Sequence, residues 1–291
     1  MKTRYLFQFS ICFVGLFLTT CFVNAQDAAY YRNPNFLKVL NRDTSYTNLK
    51  KKVVNEFLHA SPGAWGEFIK GVDEDFYTKH KYIAFTFDAC GGPHRNGYNA
   101  KLIDYLRKER IPATFFITGL WIDANFKTFM ELSRDTLFEI ENHGFNHRPC
   151  SIDGESKYGV QGTKDASQAF DELEANEIKI EALTHRRPIF YRSATAFMDE
   201  SGVRMAHQLG IQPISFQVLS GDAVPFTAPS VIEDCVLKNV KPGVIVIMHI
   251  NHPEWYTYEA MEKIVPKLRK EGYEFVHLKN LHLYNGILNK K

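Results

Sequence analysis

The chain has 291 residues, 45% hydrophobic and 23% charged, and its 35 basic and 33 acidic residues give a formal charge of +2. That balance fits one sizeable globular domain and excludes a disordered or fibrous protein. It also gives no support to a nucleic-acid partner, which needs a basic excess gathered on one surface.

Residues 1–25 form a segment of their own. Lys2 and Arg4 precede the apolar run "YLFQFSICFVGLFLTTCFV", and "VNA" stands before Gln26. This is the layout of a secretory signal peptide cut after Ala25. A membrane anchor competes with that reading, but the run is near the lower length limit for a span and contains Gln8, Ser10 and two threonines. A lipid-anchored form starting at Cys21 is a further alternative that "LTTC" matches poorly. The expectation is therefore an exported protein, periplasmic or extracellular, that meets the membrane only through its leader. Cleavage removes Lys2 and Arg4 from the 35 basic residues and leaves 33 against 33 acidic. Of five cysteines it leaves Cys90, Cys150 and Cys235, an odd number that allows one disulfide and one thiol in an oxidising compartment.

Residues 26–80 are mixed, with a short helical stretch around "LKKKVVNEFL" interrupted by "YYRNPN" and "SPGAWGEF". They are expected to pack as an extension on a main domain spanning 81–291. From Lys81 a rhythm sets in. Strand-like runs "YIAFTFD", "ATFFIT", "LFEIEN", "IFYRS", "QPISFQVL", "VIVIMH" and "YEFVHL" alternate with helical stretches "NAKLIDYLRKER", "DASQAFDELEANEIKIEAL", "SGVRMAHQLG", "SVIEDCVLKNV" and "TYEAMEKIVPKLRKEG". Leu102, Ile103 and Leu106 share one helical face, as do Met261, Ile264, Val265 and Leu268. About seven such strand–helix units predict an α/β barrel, with a doubly wound open sheet as the runner-up.

In such a barrel, chemistry gathers at the carboxyl ends of the strands. Asp88 ends the first strand, and Gly91 and Gly92 behind it let the backbone turn away. His143 and His147 follow the third strand in "ENHGFNH", where Gly144 and the asparagines disfavour a helix. Two imidazoles on such a loop can face one ion. Arg192 ends "IFYR", Asp222 follows "QPISFQVL" in "LSGDA", and His249 ends "VIVIMH". Singly each has a bland alternative: a structural ion pair for Arg192, a turn former in Asp222, a core imidazole in His249, loop surface for His252 and His94.

Taken in order, "TFDA", "NHGFNH", "FYRS", "SGD" and "IMH" resemble the motif series of the polysaccharide deacetylase family, carbohydrate esterase family four. The resemblance runs from about Lys81 to about Leu281 and includes "IPATFFITGLWI" and "LRKEGYEFVHLKNL". It implies a distorted, incomplete (β/α) barrel holding a divalent metal, usually zinc. The implied reaction removes acetyl groups from N-acetylated sugars, or from O-acetylated ones in some members. By matching position, Asp88 would be the general base, held by Arg192, and His143 and His147 the metal ligands. His249 would be the general acid, paired with Asp222, and the Thr195 backbone N–H part of an oxyanion hole.

Three departures stand out. The family's second aspartate, its third metal ligand, is Ala89 here. "RSATAF" lacks the prolines usual after the arginine, and no tryptophan accompanies the fourth motif. The vacancy at Ala89 leaves three outcomes: water in the empty position, ligation by Asp88 or another acid, or a metal-free site. Cys90 offers a thiolate ligand, but Cys150 follows His147 by three residues, and convergence of the two motifs would bring the cysteines together. A Cys90–Cys150 disulfide is the simpler use for them, with zinc ligation and two unpaired thiols as alternatives. Cys235 falls on the apolar face of its helix with Ile232 and Val236. The expected function is an exported, metal-dependent deacetylase of an N-acetylated glycan. The alternatives are a catalytically silent carbohydrate-binding barrel and an O-acetyl esterase. Selectivity is expected to lie in the loops "GGPHRNGYN" and "DAVPFTAPS".

Overall fold

The computed structural model describes residues 30–33, 35–90 and 96–283. The expected leader with Cys21, the Gly91–Gly92 pair and His94 lie outside the described residues. Eight parallel strands form the main sheet: β1 Tyr82–Ala89, β2 Ala113–Ile117, β3 Phe138–Asn142, β4 Phe190–Tyr191, β5 Gln212–Pro213, β6 Val218–Leu219, β7 Ile245–His249 and β8 Glu274–Phe275. Seven of them run in the order β5-β4-β3-β2-β1-β7-β6, and β8 pairs with the start of β1. The fold is thus an incomplete (β/α) barrel, as the sequence predicts.

One prediction needs correcting. "QPISFQVL" is not a single strand but two, β5 and β6, at opposite ends of the seven-strand path. Residues 214–217 carry the chain across the seam. The Ser215 N–H donates to the Asp73 carbonyl at 2.7 Å and the Gln217 N–H to the Ile245 carbonyl at 3.0 Å. A covalent crossing therefore replaces the hydrogen-bonded pairing that would close a complete barrel.

Strand alternation sorts the side chains. Ile83, Phe85, Phe87 and Ala89 of β1 face the helix layer, in one cluster with Leu102, Ile103, Leu106, Ile264 and Leu268. Ala84 faces the other way and packs inside the barrel with Phe116, Phe190, Ile214 and Ile245. The same rule turns Thr86 and Asp88 inward, and Ile247 and His249 on β7. The expected helices form at Ala100–Lys108, Ala166–Thr184, Glu200–Gln208, Pro229–Asn239 and Thr257–Lys270. Two further helices, Gly119–Ala124 and Phe126–Arg134, lie between β2 and β3 where the sequence suggested only a strand end. The Thr118 hydroxyl oxygen starts the first of these by accepting the Trp121 N–H at 3.1 Å.

Residues Phe36–Leu40 and Thr44–Asn55 are helical and pack on the helix Ala166–Thr184. Phe36, Tyr46, Val53 and Phe57 join Ala169, Phe170 and Leu173 in a second cluster. Buried on both sides, that helix carries Glu172, Glu174, Glu177 and Lys179 inside the protein. Lys179 is matched by Asp123 at 2.8 Å and by the rings of Phe36 and Phe145 at 5.3 and 5.0 Å. No helix among the described residues is long and apolar enough to cross a membrane.

Candidate active site

Asp88 is the last inward-facing residue of β1 and is 2% exposed. Arg192, fully buried just beyond β4, donates through Nη1 to Asp88 Oδ1 at 2.8 Å and through Nη2 to the Ser215 carbonyl at 2.8 Å. Its guanidinium lies 4.3 Å above the Phe116 ring. Burial works to raise the Asp88 pKa. The Arg192 charge, with His143 and His249, outweighs that and holds the carboxyl below its ordinary value. Asp88 is therefore an ionised carboxylate with one oxygen fixed by Arg192.

Across the cleft, His249 ends β7 and faces Asp222. The Asp222 carboxylate accepts the His249 backbone N–H at 2.8 Å and the Thr257 hydroxyl at 3.0 Å on one oxygen. The other accepts the Ser220 hydroxyl at 2.9 Å and lies 3.0 Å from His249 Nδ1. Burial works to lower the His249 pKa, but the Asp222 charge and hydrogen bond raise it above the ordinary imidazole value. The imidazole keeps its proton further into neutral pH than a free histidine.

The two remaining histidines lie on the loop after β3. The His143 N–H sits on Nδ1 and donates to the Arg192 carbonyl at 2.8 Å, which leaves Nε2 bare. Nε2 is 3.6 Å from Asp88 Oδ2 and 3.3 Å from Cys90 Sγ. The His147 ring lies 5.1 Å from that of His143, centroid to centroid. Burial, then the neighbouring His143, push the His147 pKa down to about 3, so the ring is neutral and ligand-ready. Beneath the loop the buried Glu172 carboxylate accepts the Asn146 and Arg148 N–H groups, each at 3.0 Å. Glu172 thus anchors both residues flanking His147, which itself takes a left-handed φ of 58°.

The donor atoms of Cys90, His143 and His147 all lie within 4.8 Å of one another. A thiol and two neutral imidazoles are a zinc-binding set, so the residues present fit a divalent ion. Cys90 and Cys150 are both free thiols, and the expected disulfide is not formed. The reason is local. The Cys150 N–H donates to Ser193 Oγ at 2.9 Å, its backbone bridges Met198, and its buried sulfur packs against Gly202. Ala89 belongs to the apolar cluster on the helix side of the sheet.

Asp88, Cys90, His143, His147, Thr195 and His249 line one cleft of about 640 Å³. Thr195 and Ala196 both have a φ of 61°, and Thr195 Oγ1 has no hydrogen-bond partner among the described residues. Apolar walls come from Tyr158, Phe216, Leu219, Val224 and Trp255, and Glu67 reaches in from the amino-terminal segment. His252 is not plain loop surface: it lines the cleft, stacked on Trp255 at 3.5 Å. The sequence reading missed Glu172, Ser215, Thr257 and Trp255, which act through shape and hydrogen bonding and carry no motif, and it gave no role to Ser220 inside "SGD". The signal for Ser220 was its place in that motif, two residues before Asp222 in a turn.

The sequence model of the polysaccharide deacetylase family matches residues 76–214. The peptidoglycan-N-acetylmuramic acid deacetylase of Bacillus subtilis is 28% identical over 207 residues, 70% of this chain and 72% of that protein. A peptidoglycan-N-acetylglucosamine deacetylase of Bacillus cereus is also 28% identical over 207 residues, 70% of this chain and 89% of that protein. Among solved structures, a family 4 carbohydrate esterase of Bacillus subtilis is similar with a TM-score of 0.59 at 23% identity, covering 86% of this chain and 91% of that one. A pseudoenzyme of the same esterase family from Bacillus anthracis is similar with a TM-score of 0.60 at 24% identity, covering 72% and 67%.

Proposed function

Because the chain belongs to the polysaccharide deacetylase family, we propose that it is an exported, metal-dependent hydrolase that removes acetyl groups from N-acetylated amino sugars of a polysaccharide such as peptidoglycan. The observation that carries this reading is the convergence of Asp88, His143, His147 and His249 on one cleft. A divalent ion held by His143 and His147, zinc by the chemistry of those donors, would polarise the acetyl carbonyl and make a bound water acidic. Asp88, ionised and fixed by Arg192, takes the proton of the attacking water. His249, protonated under the influence of Asp222, gives its proton to the departing nitrogen. Thr195, in its left-handed turn on the cleft wall, offers its backbone N–H to the developing oxyanion, a kind of contact whose loss typically costs about 10²–10³ in rate. The apolar walls suit the faces of sugar rings.

Export is supported by the leader at 1–25 and by the cell-wall substrates in the names of the two curated relatives. The organisation that follows is a leader at 1–25, an extension at 26–80 and a deacetylase-like barrel at 81–291. Acetate release from N-acetylglucosamine oligomers or peptidoglycan, lost in Asp88→Asn and His249→Ala, is the expected result. No acetate from any acetylated glycan with zinc supplied would overturn the proposal. Comparing amide with ester substrates separates the deacetylase from an O-acetyl esterase. A second reading, a silent glycan binder, draws on Ala89 at the family's acid position and on the likeness to a pseudoenzyme. Stoichiometric zinc by elemental analysis would discard it.

A further inference from the structure

We infer that Cys90 is the third protein ligand of the ion, making the centre a cysteine–histidine–histidine site in place of an acid–histidine–histidine one. The inference rests on the metal-dependent reading above and names the donor that the motif comparison leaves open.

The register of β1 carries the first part of the argument. Ile83, Phe85, Phe87 and Ala89 alternate into the helix-side cluster, so the backbone at 89 turns its side chain away from the cleft. The next position of inward parity after Asp88 is 90. There the thiol lines the cleft, with Sγ 3.3 Å from the bare Nε2 of His143.

Geometry carries the second part. Tetrahedral zinc with bonds of about 2.3 Å to sulfur and about 2.0–2.1 Å to nitrogen holds its donors roughly 3.3–3.6 Å apart. The Cys90–His143 spacing of 3.3 Å already matches, and the whole set lies within 4.8 Å. His143 is pre-oriented, since its Nδ1–H is committed to the Arg192 carbonyl. Asp88 is the obvious rival ligand, but Arg192 holds one of its oxygens at 2.8 Å and its carboxylate is taken up as the base of the proposed reaction. Cys150 offers no competing disulfide, being packed against Gly202.

Chemistry completes the case. A bound thiolate supplies the same single negative charge as the carboxylate it replaces, so the ion's field on a bound water keeps its sign and approximate strength. Coordination to the ion deprotonates a thiol outright. Sulfur also favours zinc or cobalt over magnesium, calcium or manganese.

The test is a cobalt titration of the purified full chain, read by absorption. One cobalt per chain, with a thiolate-to-cobalt charge-transfer band in the near ultraviolet, is the expected result. Cys90→Ser should abolish the band and weaken metal binding by at least about 10–100-fold. Cys90→Asp should bind the ion without the band, which also reports on folding, and Cys150→Ser should keep it. Cobalt bound by the wild type without the band, a band that survives Cys90→Ser, or a Cys90–Cys150 cross-linked peptide in a non-reduced digest would each overturn the assignment. Only a wild-type chain that binds neither cobalt nor zinc would overturn the metal-dependent reading as well.

Discussion

Asp222 and Asp88 are both buried carboxylates, one behind His249 and one on the cleft wall, and their partners give them opposite tasks. Asp222 is surrounded by donors and acts on His249, whose pKa it raises. A group with a raised pKa keeps its proton below that value and loses it as the pH rises through it, so His249 sets the alkaline limb of acetate release. Replacing Asp222 by Asn removes the charge and lowers the His249 pKa. The alkaline limb should move to lower pH, and the rate at neutral pH should fall by up to the roughly 10²–10⁴ that general acid catalysis contributes. A pH–rate profile with an unmoved alkaline limb would place the proton donor elsewhere. Asp88 runs the other way. Arg192 keeps its pKa below the ordinary carboxyl value, so the pair's contribution is present at neutral pH and is lost as the pH falls through that depressed value. Arg192→Met strands a buried charge, a change that typically costs about 3–5 kcal/mol. It should also raise the Asp88 pKa and shift the acid limb upward. Urea unfolding together with the pH–rate profile separates the two effects, and a variant unchanged in both would leave Arg192 without its assigned role.

Among the elements, the loop between β3 and Cys150 places two ligands with little regular structure of its own. Gly144 has a φ of +85°, and a Cβ there would meet Glu172 Oε1 at 2.3 Å. Gly144→Ala therefore strains the backbone by about 1–3 kcal/mol and displaces the carboxylate that holds the amides on either side of His147. Zinc affinity should fall by about 10–100-fold, the range seen when groups supporting a ligand are lost. Competition with a chromophoric chelator measures it, and unaltered affinity would mean that the loop does not set the His147 position. This dependence could not be read from the sequence, because Glu172 belongs to a helical stretch whose pattern says only that it is amphipathic. The strands were legible, since β-branched and aromatic runs bounded by turn residues have few other uses. The split of "QPISFQVL" was not, because crossing a barrel seam leaves no local mark on an alternating run. The helix Gly119–Ala124 was hidden because "GLWI" continues the apolar run of β2. For Cys90 the information was present. The alternation of 83, 85, 87 and 89 fixes which side of β1 residue 90 faces, but matching by motif drew attention to Ala89 instead.

On the scale of the molecule, the amino-terminal helices complete the layer that holds the site. Phe36 is fully buried and lies 6.0 Å from Phe145, which stands on the loop between the two histidines. It also covers the Lys179 ammonium at 5.3 Å, and Tyr46 and Lys50 each reach Asp171 at 2.6 Å on the same helix that carries Glu172. Residues 73–76 extend the connection, with Asp73 bridging Ile214 at the seam and Asp75 bridging Val244 ahead of β7. An extension joined to the barrel in this way should not unfold by itself. Phe36→Ala removes a buried ring and should cost about 3–5 kcal/mol. It should shift one cooperative urea transition, followed both by tryptophan fluorescence and by circular dichroism, and weaken zinc binding through the loosened Phe145. Two separated transitions, with zinc affinity intact, would show instead that residues 36–57 are an independent layer and that the metal loop is supported by the barrel alone.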